Sequence, residues 1–435
     1  DSAVKDLVPA LDNCYQQIIY VLNELYGLEE VGAQRGSAFA LAGEGNGSAN
    51  ALETIPRNQL NDSEWRQIQT RTLKACRAAT DEVFHIAFYQ WHIDHHLATE
   101  MLQQETPYLE TFLRFFCKPV ELRLHLLWQF YLHRSELTKS ANILLQLAEN
   151  RGTDQTLQDR LGHLAQALSL LKASPSDHQL LREVQEKVEV GSVQLKIYNE
   201  LETVSNVQKR HEARRTLDYE LFSISDLFNQ FAKKYGLSES ALAILHVSGH
   251  QDARLARRLW ATMISDLDTQ IRSLPPPYNT TPLAETVFNL ASEYYPSEYV
   301  LPLDFLVDTL EQVACKFPPD SVDPTWYRGW VANAFLRAQI PAPILYKIYT
   351  QLFEARTTFW IQPEHSLHLL AQICYILEAW VNEIPADAGK TPHEYRLHRA
   401  KVDPAIDKLL AVLSKATSPK ISVLTQLLQT LKRSK

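Results

Sequence analysis

Apolar residues recur at spacings of three and four along most of the chain, and the stretch from Pro119 to Glu149 shows the pattern most simply. Leu122, Leu126 and Phe130 form one stripe and Leu124, Leu127 and Tyr131 a second. Two stripes predict a helix buried on two faces, with Pro119 in its first turn, where a missing N–H does no harm. After Ser135, placed as an N-cap, Ala141, Leu144, Leu145 and Ala148 make a single stripe with polar residues opposite. A two-faced helix followed by one with a wet side is the unit of a helical array.

The same rhythm organises the rest. Residues 3–26 read as a helix with one stripe through Leu7, Leu11, Cys14, Ile18 and Leu25 and another through Tyr15, Ile19, Leu22 and Tyr26. Its second apolar face calls for a neighbour, either a preceding repeat or a captured peptide. Residues 27–62, rich in Gly, Ala, Ser and Asn, lack periodicity and read as a flexible insertion. Helical spacing returns at Ser63 and runs through Phe84, Phe88, Trp91 and Leu102, then Leu161, Leu164, Leu168 and Leu171. The longest regular segment, Leu181 to Leu201, carries Leu181, Val184, Val188, Leu195 and Tyr198 on one face and Val190, Val193, Ile197 and Leu201 on another. The charged interval 208–215 marks a connection or an exposed helix start. Gly236 and Gly249 fall where helix C-caps should be, and Ser238 fits an N-cap. Pro275, Pro276 and Pro277 set a boundary between a central block, 63–274, and a C-terminal block, 275–435. In the latter, hairpins are expected near Leu303–Lys316, Pro341–Phe353 and Ser366–Val381, with a final helix from about Asp403. About twenty helices in antiparallel pairs fit the whole pattern, an all-α, elongated solenoid with no strand required.

Composition narrows the class. With 435 residues the chain is too long for one compact core and needs several domains or an array. Only 13 glycines are present, which disfavours hairpin-rich β architecture. The formal net charge of -8 argues against a nucleic-acid surface. Small basic groups, Arg254, Arg257 and Arg258, then Lys432, Arg433 and Lys435, read as solvated helix faces. The five cysteines, Cys14, Cys76, Cys117, Cys315 and Cys374, include no CxxC pair and suggest a reducing compartment. No apolar run is long enough to span a membrane, and the start at Asp1 reads as a cut fragment of something longer.

Catalytic and metal signatures are weak. His92 and His96 stand four apart in WHIDHH, as zinc ligands on one helix face can, but the Glu of a zincin is missing and a solvated face is the simpler reading. His246 and His250 have the same spacing but are separated by Gly249, and read as a packed or capping pair. The GKT at Gly389–Thr391 lacks the first glycine of a phosphate loop, Ile384 standing there, and Gly43 and Gly45 begin a GxGxxG that Ser48 ends wrongly. Sequons at Asn46, Asn61 and Asn279 matter only in a secreted chain. Glu183, Glu186 and Glu189 sit among lysines on the long helix as a solvated face would. These readings point away from an enzyme, with no cofactor, no metal and no catalytic residue.

Several of these stretches resemble a known family: LLWQFYLHRSELTKSANILLQLAE at 126–149, LREVQEKVEVGSVQLKIYNEL at 181–201, LFSISDLFNQFAKKYGLSESALAILHVSGHQD at 221–252, LPLDFLVDTLEQVAC at 301–315 and IPAPILYKIYTQLFEARTTFW at 340–360. They are similar to the C-terminal solenoid of the large inner-ring scaffold nucleoporins, which carry an N-terminal β-propeller before a long α-solenoid. The resemblance implies a structural part of the nuclear pore complex, at the nuclear envelope, serving nucleocytoplasmic transport. It implies a partner as well, a short linear segment of the autoproteolytic GLFG-repeat nucleoporin, with other inner-ring nucleoporins engaged through the full-length protein. A membrane-traffic coat or adaptor subunit is the alternative reading. Which residues line the partner groove is left open, since every apolar position is also needed for packing.

Overall fold

The computed structural model describes residues 2–26, 62–174, 177–273, 279–317, 325–383, 392–414 and 419–433, and among them there is no strand. Two compact units emerge. The first takes residues up to Ser192 together with Arg215–Leu221; the second takes Val193–Arg214 and the chain from Phe222 onward. The insertion at 27–61, the proline break at Pro275–Pro277, the GKT at 389–391 and the Gly43 motif lie outside the described residues, as do the sequons at Asn46 and Asn61.

The first unit contains α1 (Ser2–Tyr26), α2 (Asp62–Arg77), α3 (Glu82–Asp94), α4 (Ala98–Leu102), α5 (Leu109–Thr111, continued by a π-helical turn to Phe116), α6 (Val120–His133), α7 (Leu137–Glu149) and α8 (Leu157–Ala173). Helices α9 (His178–Glu200) and α10 (Val207–Tyr219) contribute residues to both units. In the second unit follow α11 (Ile224–Asp226, continued by a π-helical turn to Ala232), α12 (Lys233–Tyr235), α13 (Ser238–Ser248), α14 (Ala253–Ser273), α15 (Thr281–Tyr294), α16 (Leu303–Ala314), α17 (Trp330–Arg337), α18 (Ala342–Ala355), α19 (Pro363–Asn382), α20 (Pro392–Leu413) and α21 (Pro419–Arg433). Many helices pack on their successors, α6 on α7 and α7 on α8, α13 on α14, α18 on α19. Next-but-one helices also touch, α14 with α16, α16 with α18, and α17 with α19. Packing of both kinds is what stacked helix pairs require, because each pair buries one face internally and the other against its neighbour.

The hairpin that the sequence singled out shows how this works. Leu126, Leu127, Phe130 and Tyr131 of α6 join the core formed with α1, α3 and the α5 region. Leu124 and Trp128 turn the other way, onto α7, α8 and α9. The helix does have two buried faces, but Leu127 and Tyr131 share the face of Leu126 and Phe130 rather than the face of Leu124. The Ser140 hydroxyl donates to the Trp128 carbonyl at 2.8 Å and stitches α6 to α7.

Several helix ends differ from expectation. Ser135 is not the N-cap of α7: it sits at φ 58°, and Glu136 precedes the helix without a capping bond. The connection between His133 and Leu137 must reverse the chain within three residues, and Ser135 does so by entering the left-handed region. Ser238 is the first residue of α13 and not its cap. The first amides of that helix, which have no partner within it, are instead met by Glu200 of α9, whose carboxylate accepts from Glu239 N at 3.2 Å and Ser240 N at 2.7 Å. A carboxylate at a helix N-terminus is favourable by charge as well as by hydrogen bonding. Gly236 and Gly249 end their helices in the left-handed conformation, φ 70° and 63°, as predicted. The hairpins expected near Leu303, Pro341 and Ser366 are each a single helix, α16, α18 and α19, and the final helix is two: α20 starts before Asp403, carries Pro404 within it, and α21 follows.

Candidate functional site

The histidine pair that most resembled a metal site is taken apart by the fold. Helix α3 ends at Asp94, His96 adopts φ 60° beyond it, and His92 is fully buried rather than on a solvated face. His92 Nδ1 lies 2.7 Å from the Phe88 carbonyl, which can only accept, so Nδ1 carries the proton. Nε2 then accepts from the Gln104 amide at 3.1 Å. Burial pushes the imidazole down to about 4, so it is neutral at physiological pH. Because its proton affinity is lower folded than unfolded, acid favours the unfolded chain. Stability conferred by neutral His92 is full above the ordinary histidine range and is lost as pH falls from about 6.5 to about 4. Between pH 7 and pH 5 the loss should reach about 2 kcal/mol, read by urea denaturation as the difference between parent and His92→Gln. Parallel pH curves for the two proteins would contradict it.

The remaining candidates are structural or solvated. His246 and His250 are exposed and do not pack together; His246 rests on Tyr294, with 5.2 Å between ring centres, beyond which Gly249 turns the chain. Glu183, Glu186 and Glu189 are exposed, as are Arg254, Arg257 and Arg258. Asn279 closes a local turn, accepting from Thr281 N at 3.0 Å. Among the described residues no three metal-ligating side chains converge. Burial raises the thiols of Cys76 and Cys374, and pushes Cys117 up to about 11 and Cys315 to about 12, the opposite of what a nucleophile needs. Two buried ionic groups serve architecture. Glu311 accepts from Tyr349 at 2.5 Å and meets His368 Nε2 at 2.6 Å inside the second unit. Arg160 in the first unit spends every donor on backbone carbonyls.

What the surface offers is grooves. One, about 630 Å³, lies between α1, α2 and α3, with Ile18, Val21, Ala75 and Ala79 in its walls and the hydrogen-bonded pair Tyr15 and Asp81 at one end. Ile18, from the first of the two α1 stripes, and Val21, from neither, border it at 36% and 43% exposure, whereas the second stripe, Tyr15, Ile19, Leu22 and Tyr26, packs into the core of the unit. A second groove, about 350 Å³, is bounded by the π-helical turn after α11 and by α13 and the start of α14, with Ile224, Phe228, Ile244 and Leu255 around Ser248 and His250. A third, about 300 Å³, opens between α18, α19 and α20. All three pair apolar walls with polar groups at their edges, Cys14 and Asp81 in the first, Ser248 and His250 in the second and Glu354, Arg356 and Lys408 in the third, a mixture that suits docking of an apolar anchor. None was legible beforehand, because their lining residues follow the same periodicity as the core. Only the exposed apolar stripe of α1 gave a signal.

The chain matches, over residues 9–420, the family described as non-repetitive/WGA-negative nucleoporin C-terminal. The nuclear pore complex protein Nup154 of Drosophila melanogaster is 25% identical over 389 residues, 86% of this chain and 26% of that protein. Nucleoporin NUP170 of Saccharomyces cerevisiae is 24% identical over 307 residues, 68% of this chain and 20% of that protein. The chain thus spans about a quarter of the length of the curated relatives it matches. Among solved structures, the complex of the Chaetomium thermophilum Nup170 C-terminal domain with Nup145N superposes with a TM-score of 0.69 at 18% identity, covering 97% of this chain and 79% of that one. The same domain in mutant form also gives 0.69, at 19% identity.

Proposed function

This chain belongs to the non-repetitive/WGA-negative nucleoporin C-terminal family, and from that membership we propose that it is a helical scaffold segment of the nuclear pore inner ring that captures a short linear segment of a linker nucleoporin. The family is one of structural nucleoporins of the nuclear pore complex at the nuclear envelope, not of enzymes. Among the described residues no helix is long and apolar enough to cross a membrane. The observation that carries the partner reading is the alignment of nearly the whole chain with a domain solved in complex with Nup145N. The counterpart here is the linker of the autoproteolytic GLFG-repeat nucleoporin. Other inner-ring nucleoporins would be engaged through the rest of the full-length protein, and the whole would support nucleocytoplasmic transport.

Physical chemistry supports such a mechanism. Stacked helix pairs leave grooves between pairs, and a disordered linker can bury apolar anchors in one without the scaffold rearranging. Ordering the linker costs conformational entropy, which keeps affinity moderate and exchange reversible, as an assembly that is built and dismantled requires. Calorimetric titration with the disordered linker should give saturable one-to-one binding that narrows to a short segment on truncation. Absence of both heat and co-migration on a sizing column would defeat the capture reading.

A further inference from the structure

We propose that the groove between α18, α19 and α20 is the seat of an acidic peptide carrying one apolar anchor, and that Arg356 is the residue that reads its carboxylate; this assignment rests on the capture reading above. The groove has an apolar interior formed by Tyr346, Phe353, Ile373, Leu409 and Val412. Its volume of about 300 Å³ stands at the lower end of ligand pockets, enough for an anchor side chain and too small for a folded domain. In the same wall stands Thr350, whose buried hydroxyl oxygen has no hydrogen-bond partner.

Charge selects the occupant. Three ionic side chains line the groove: Glu354 of α18, Lys408 of α20 and Arg356 just past the end of α18. Lys408 Nζ bonds Glu354 Oε1 at 2.7 Å, so those two neutralise one another. Arg356 makes no ion pair or hydrogen bond from its side chain among the described residues, leaving one uncompensated cation beside an apolar slot. A guanidinium in that position favours a carboxylate, to which it can donate two parallel bonds.

The backbone at Arg356 is separable from its charge. Arg356 ends α18 in the left-handed conformation, φ 44° and ψ 46°. The chain uses glycine for the equivalent task at Gly236 and Gly249, where no Cβ opposes the turn. Arginine brings a Cβ into that conformation, as His96, Ser135 and Gln339 also do in this chain, so glycine at this position would relieve strain.

That strain supplies a clean test. Arg356→Gly relieves the backbone and removes the cation together, so a role in binding and a role in folding predict opposite results. Titrated with the disordered linker of the autoproteolytic GLFG-repeat nucleoporin, Arg356→Gly should bind at least about tenfold more weakly than the parent while its Tm stays equal or rises. Val412→Glu, which places a carboxylate on the half-buried wall, should weaken binding similarly. Arg254→Glu, on α14 of the same unit, should leave it unchanged. Parent-like binding by Arg356→Gly and Val412→Glu would overturn the groove assignment and leave capture intact. Equal weakening by Arg254→Glu would overturn it in favour of diffuse charge attraction. No binding by the parent protein, seen before any substitution, would overturn both readings.

Discussion

Arg160→Met is expected to lower the unfolding free energy of the first unit by about 3–5 kcal/mol, more than any surface change could. The side chain is fully buried in α8. Its Nε donates to Asp218 O at 3.0 Å, Nη1 to Ala148 O at 3.0 Å and to Asn150 O, and Nη2 to Gly152 O at 3.0 Å and Tyr219 O at 2.8 Å. Those carbonyls belong to the end of α7, the loop after it and the end of α10, where a helix runs out of N–H donors for its last carbonyls. One guanidinium therefore closes two helix ends at once. No carboxylate is needed to hold it, although desolvation lowers its proton affinity and nearby Asp154 and Asp218 counter that. Methionine matches the length but strands the carbonyls, each at about 1–3 kcal/mol before relaxation. Lysine keeps the charge with a single nitrogen that cannot span both helix ends, so Arg160→Lys should fall between the two. Urea denaturation measures the series, and a methionine variant within about 1 kcal/mol of the parent would show that water or rearranged backbone meets the carbonyls instead.

Trp260→Ala should cost the second unit about 3–5 kcal/mol. Trp260 is the largest of the fully buried side chains. It projects from α14 into the core shared with α15 and α16, among residues such as Val287 and Leu306. Its indole nitrogen donates to Val300 O at 2.8 Å and so ties α14 to the segment leading into α16. Alanine removes the packing and leaves that carbonyl unpaired; Trp260→Phe keeps most of the volume and should lose only about 1–2 kcal/mol. The pair separates packing from hydrogen bonding. A phenylalanine variant as unstable as the alanine one would make the Val300 bond the dominant contribution.

Helix identity was legible because it depends on local spacing. The stripes of α1, α6, α7 and α9 follow from a 3.6-residue period that any helix must obey, and Gly236 and Gly249 follow from the steric freedom of one residue. The segment 208–215 begins a helix, as its charge pattern allowed. Where a helix is capped from a distance, the local signal fails: Ser238 looked like the cap of α13, yet Glu200, far back in sequence, accepts its amides. His92 misled for the same reason. Its spacing to His96 is a helical one, but α3 stops two residues short of His96.

By itself, the sequence determined that this protein is all helical, that its helices bury more than one face, that it carries no signature of catalysis, and that it resembles the nucleoporin solenoids. Periodicity, glycine usage and absent motifs are properties of short windows, and short windows suffice to state them. Only the tertiary structure decided which face of α6 meets which neighbour, that Arg160 closes two helix ends, that His92 is buried and neutral, and that Arg356, beside an apolar groove, has no ion-pair partner among the described residues. Each of these depends on residues distant in sequence meeting in space, and an apolar stripe looks the same whether another helix, a groove or a partner lies against it.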